Sequence, residues 1–213
     1  MTVKIKVFSD YVCPFCFLAE KPLQEAIEGK DVDVEWMPFE LRPYPNPTLE
    51  PEGDYLQTTW KQAIYPTAKQ MEIPIVLPSV SPQPYTHIAF EGYQYAKEQG
   101  KGNEYNLRIL RAFFQEEQDI GNIDVLSKLA GEVGLDETAY RDALESRKYK
   151  KAHQKALEHA VEANITAVPT FIIGDTKVSG MRSKNSLKQI IEEEMNKQPI
   201  DLSEGMSCGL NGC

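Results

Sequence analysis

Val3-Lys4-Ile5-Lys6-Val7-Phe8, followed shortly by Cys13-Pro14-Phe15-Cys16, is the stretch from which the rest of the chain is read. The first run alternates apolar and polar residues, the period of a half-buried β-strand. Pro14 suits the first position of a helix, where its missing N–H costs nothing. The two cysteines therefore stand at a strand-to-helix junction, three positions apart on a first helical turn, and can close a small disulfide. The upstream thiol meets free N–H groups and the positive end of a helix dipole, which favour a thiolate.

Working outward, the helix runs to about Glu28, with Leu18, Leu23, Ala26 and Ile27 at helical spacing, a kink expected at Pro22 and a stop at Gly29. Val32 to Trp36 reads as a second strand, parallel to the first because a helix separates them. Pro43, Pro45, Pro47, Pro51 and Gly53 then mark a loop and a boundary. From Tyr55 to about Asn164 the pattern is mostly helical, interrupted by a second Pro-rich loop at Pro74 to Pro84. Tyr55, Leu56, Trp60, Ile64, Ala68 and Met71 form an apolar stripe that reads as core. Further helices are expected near 86–99, 105–117, 123–133, 137–146 and 148–163, with Asp124 and Asp136 as entries and Gly134 as a stop. Pro169 to Ile173 and Lys177 to Ser179 read as a hairpin around Gly174-Asp175, and a last helix covers Lys184 to Lys197. A connection as long as the helical block is best read as an inserted subdomain. The expected organisation is a discontinuous α/β domain of residues 1–42 plus 165–197, a helical insertion of 43–164, and a tail of 198–213 carrying Cys208 and Cys213.

The totals exclude some functions. With 213 residues and a net charge of −9, the chain lacks the basic face that nucleic acid or an anionic membrane surface requires. No apolar run is long enough to span a bilayer. The N-terminal residues carry no apolar signal segment, so the expected location is cytoplasmic, where thiols are kept reduced and four cysteines point to catalysis, sensing or metal. His87, His153 and His159 form no ligand set and are expected at the surface or satisfied. No phosphate-binding glycine loop is present.

Cys13-Pro14-Phe15-Cys16 at its junction, the long helical insertion, and Ala167-Val168-Pro169-Thr170-Phe171 together resemble the DsbA-like thioredoxin-fold proteins, over about residues 1–197. Pro38-Phe39-Glu40-Leu41-Arg42-Pro43 and Tyr95 to Lys101 add likeness to the cytosolic FrnE-like branch of dithiol–disulfide oxidoreductases and isomerases. The resemblance implies a thioredoxin fold with an inserted all-helical subdomain. It implies that Cys13 is the nucleophile, Cys16 the resolving thiol and Pro169 a cis-proline facing them. Val168 would then pair its backbone with an extended substrate. Pro14 and Phe15, between the cysteines, are expected to touch substrate. Some relatives keep a buried acid about six residues before the first cysteine; here that place holds Val7, beside Lys6, which leaves the route of the Cys16 proton open. The inner Pro-Phe lacks the histidine of strongly oxidising relatives, so a weaker oxidant is expected.

The implied activity is thiol–disulfide exchange on protein or small-thiol disulfides. No organic cofactor is called for, and electrons would come from glutathione or a thioredoxin system. Two other readings stand beside it. One is a glutathione-dependent kappa-type transferase or 2-hydroxychromene-2-carboxylate isomerase, although those enzymes usually carry serine at the nucleophile and lack the second cysteine. The other is a redox-sensing, zinc-binding holdase, since C-x-x-C is also a metal spacing. The tail pair Cys208 and Cys213 has three readings: a redox relay to Cys13–Cys16, two ligands of a zinc site, or no redox role.

Overall fold

The computed structural model describes residues 2–197. Strands β1 (Val3–Ser9), β2 (Val32–Pro38), β3 (Thr170–Ile173) and β4 (Thr176–Ser179) form one sheet in the order β2-β1-β3-β4. β1 and β2 are parallel, in register from Val3 opposite Val32 to Ser9 opposite Pro38, and helix α1 (Pro14–Ile27) makes the crossover. β3 runs antiparallel to β1 and turns at Gly174, φ +55°, into β4. Strands from residues 3–38 and from residues 170–179 thus share one sheet, and a mixed α/β thioredoxin fold results.

Between β2 and β3 the chain is helical. Asp54–Thr59 (α2) passes through a π-helical turn, Trp60–Ile64, into Tyr65–Met71 (α3). Then follow α4 (His87–Glu98), α5 (Gly102–Glu116), α6 (Ile123–Glu132), α7 (Glu137–Glu145) and α8 (Lys150–Glu162); α9 (Lys184–Asn196) follows the hairpin. The expected elements are present, with ends displaced by a few residues. Asn122, not Asp124, caps α6, its side chain accepting the Asp124 N–H at 2.8 Å. Asp136 caps α7 as expected. Tyr55 is 65% exposed rather than core, because it lies about 100° around the helix from the buried line Leu56, Trp60, Ile64, Ala68.

One large core cluster joins the sheet to the helices, and a smaller one gathers Phe8, Met37, Ala160 and Ile165. Ile5, Val7 and Phe171 line the sheet side, and the Phe17 ring of α1 stacks on Phe114 of α5 at 5.4 Å. Burial on this scale, at about 25 cal/mol per Å² of apolar surface, holds α1 against the sheet and its first turn in place. Among the described residues no helix is long and apolar enough to cross a membrane. Cys208 and Cys213 lie outside the described residues.

Candidate active site

Cys13 is the N-cap of α1, with extended backbone (φ −91°, ψ 109°), and Pro14 takes the first helical turn. The turn closes when the Cys16 and Phe17 N–H groups donate to the Cys13 carbonyl at 3.0 and 3.3 Å. Both cysteines are free thiols. The thiol of Cys13 points at the Val168 carbonyl, 3.8 Å away, from a loop whose Val168–Pro169 peptide is cis. Val168, Pro14 and Phe15 are half-buried around the sulfur. Cys13 is only 5% exposed, against 2% for Cys16, with the Val168–Pro169 loop closing over it.

The inner thiol has a more constrained setting. Burial pushes Cys16 well above the ordinary thiol range, and the Cys13 sulfur adds to the rise. The Asp10 backbone N–H and the Ser9 hydroxyl work the other way, as donors that favour a thiolate. Ser9 Oγ is buried and makes no other hydrogen bond.

A buried acid does stand beside the motif, three residues before Cys13 rather than six. Val7, at the expected place, is core. Asp10 is 1% exposed, and burial raises its carboxyl from an ordinary 3.8 to about 6. The Leu41 N–H, 2.7 Å from Oδ2, and Thr86 oppose the rise, while Glu40 adds to it. Oδ1 is buried with no partner. Behind Asp10, Glu40 meets His153 Nε2 at 2.6 Å, so His153 is a buried, paired residue and not a surface one.

Sequence reasoning missed Ser9, Asp10 and the pairing of Glu40 with His153. The one local signal was the polar pair Ser9-Asp10 directly after Val7-Phe8, at the end of the first strand. Among the described residues no group of three or more His, Cys, Asp or Glu side chains is placed to hold a metal ion.

A sheet ordered β2-β1-β3-β4, two thiols on the first turn after β1 and a cis-proline loop facing them set the frame for comparison. Residues 4–192 match the family described as the DSBA-like thioredoxin domain. The chain belongs to that family. It is 55% identical over 200 residues to the "uncharacterized protein YwbO" of Bacillus subtilis, spanning 93% of this chain and all of that one. Among solved structures it is similar to a probable DsbA oxidoreductase from Streptomyces coelicolor, with a TM-score of 0.76 and 21% identity over 99% of this chain and 98% of the other. It is also similar to the cytosolic disulfide reductase DsbM from Pseudomonas aeruginosa, with a TM-score of 0.67 and 19% identity over 90% and 96% of the two chains. At those identities the structural likeness speaks for the fold.

Proposed function

We propose that the protein is a thiol–disulfide oxidoreductase that reduces or isomerises disulfides through Cys13 and Cys16. The observation that carries this reading is a pair of free thiols on one helical turn, with Cys13 Sγ set 3.8 Å from the Val168 carbonyl of the cis-proline loop. Cys13 attacks one sulfur of a substrate disulfide. A mixed disulfide forms, the substrate bond breaks, and the departing sulfur takes up a proton. Cys16 then gives up its proton and attacks Cys13 Sγ. The reduced substrate leaves, and a Cys13–Cys16 disulfide remains, two electrons having passed to the substrate. Asp10, deprotonated above a pH of about 6, is the nearby group suited to receive the Cys16 proton. Extended substrate backbone pairs with Val168, and Phe15 and Pro14 frame the attacked bond.

Glutathione or a thioredoxin system resets the dithiol, the site of action is the cytoplasm, and the substrates are disulfides of proteins or of small thiols. The reading calls for no organic cofactor. The family membership and the likeness to a cytosolic disulfide reductase support it.

The test is the reduction potential of Cys13–Cys16 in glutathione buffers, beside a Cys16→Ser variant. A potential at or below about −200 mV is expected, with a trapped mixed disulfide on Cys13 in the variant. Failure to form the Cys13–Cys16 disulfide at any glutathione ratio overturns the proposal. Full glutathione-conjugating activity in Cys16→Ser would establish a single-nucleophile transferase instead.

A further inference from the structure

A cavity of about 680 Å³ opens between the loop after β2, the start of α4, and α8 with the turn that precedes it. Neither cysteine lines it. Its volume lies in the range of small-molecule sites. Its walls carry two paired carboxylates, Glu91 and Glu40, and, beside them, groups left unmatched.

Glu91, 1% exposed, accepts two hydrogen bonds from Arg147, at 2.8 Å from Nε and 2.6 Å from Nη2. The third guanidinium nitrogen, Nη1, makes no hydrogen bond, and the exposed Lys150 has no acidic partner among the described residues. One face of the cavity thus holds one cation without an acidic partner, Lys150, and one spare guanidinium nitrogen, Arg147 Nη1. Across it, His153 Nε2 lies 2.6 Å from Glu40 Oε1. A carboxylate only accepts, so Nε2 carries the hydrogen, and in the tautomer with that single hydrogen Nδ1 is a lone pair. That Nδ1 is buried and unpartnered, on a side chain 3% exposed. The Phe90 ring holds the imidazole, stacked at 5.6 Å and 9°. His87 Nδ1 is likewise buried and unpartnered. Buried polar atoms in native proteins are almost always hydrogen-bonded, so these two nitrogens, on side chains that line one cavity, have bonding capacity left for a ligand's polar groups. At the rim, Tyr44, 73% exposed, meets Tyr85 edge-on at 5.5 Å and gives the cavity an aromatic side.

We propose that this cavity binds a small hydroxy- or amino-carboxylate with an apolar body. The carboxylate takes Arg147 Nη1 and Lys150, the hydroxyl or amine donates to His153 Nδ1, and the apolar part lies along Tyr44 and Tyr85. This site is separate from the thiols and does not depend on their activity.

The probe is 3-phenyllactate, titrated calorimetrically into the full chain at pH 7.5, against 3-phenylpropionate, which lacks the donor, and 3-phenyllactamide, which lacks the charge. Saturable one-to-one binding of 3-phenyllactate is expected, with each analogue about tenfold weaker. Lys150→Glu, an exposed change that leaves the fold intact by circular dichroism, is expected to weaken binding by at least about tenfold, while Cys13→Ser leaves it unchanged. Absence of saturable binding of 3-phenyllactate below about 10 mM overturns the proposal, as does equal affinity for all three compounds or an unaffected Lys150→Glu. Loss of binding in Cys13→Ser would place the ligand at the thiols and overturn it as well.

Discussion

Asp10 is the residue on which the proposed chemistry turns. Its carboxyl is buried, has one oxygen held by the Leu41 N–H and one without a partner, and belongs to the residue whose own N–H faces the Cys16 sulfur. With a value of about 6, it is a carboxylate at neutral pH and can take a proton. Asp10→Asn is expected to slow resolution of the mixed disulfide by about tenfold to a hundredfold and to remove the inflection near pH 6 from its pH–rate profile. Stopped-flow kinetics on a preformed Cys13 mixed disulfide checks this; an unchanged profile would remove Asp10 from proton transfer. The cysteine pair and the Val168-Pro169 dipeptide were legible in the sequence because their meaning is local. Asp10 was not. Beside a helix start an aspartate reads as a cap, and its burial comes from Leu41 and Thr86, far along the chain. His153 was hidden for the same reason: its partner Glu40 is 113 residues away.

At the scale of elements, α4, α5 and α7 meet on a pair of tyrosines. Tyr105 and Tyr140 share a hydrogen bond of 2.6 Å, and the Tyr105 hydroxyl also reaches the Ala89 carbonyl at 3.0 Å. Both are fully buried, and Gly92 of α4 sits against their hydroxyls. A Cβ on Gly92 would collide with both oxygens. Alanine is the better helix former by about 1 kcal/mol, so propensity and packing oppose each other here. Packing wins because neither tyrosine can move without breaking a buried hydrogen bond. Gly92→Ala is expected to cost about 1–3 kcal/mol net, read as a lower denaturant midpoint. Apolar periodicity was enough to place α4 through α8, since each buries one face. It did not show which helix touches which, and a glycine within a helical pattern gave no hint that it makes room for two phenols.

At the scale of the molecule, buried acids set how stability varies with pH. Burial raises Glu20, on the α1 face toward α5, from an ordinary 4.5 to about 8, against the pull of Arg111 and the Asn106 side chain, which donates at 3.0 Å. A carboxyl raised on folding holds its proton more tightly in the native state. Its contribution is therefore fully present below about pH 4.5 and is lost as pH rises toward 8. Asp10 acts in the same direction over the narrower window from 3.8 to about 6. Urea denaturation at pH 5, 7 and 9 is expected to show falling stability; Glu20→Gln, which keeps the Asn106 bond, should flatten the slope and gain about 1–3 kcal/mol at pH 9. A parallel slope in the variant would assign the pH dependence to other groups. One further consequence belongs to the order in which the molecule is made. The carbonyl that meets Cys13 arrives 155 residues later in the chain. At about 5–20 residues per second, a ribosome holds the two thiols out in the open for on the order of ten seconds or more before their cover exists. For that interval the nascent chain depends on its surroundings, not on its own structure, to remain reduced.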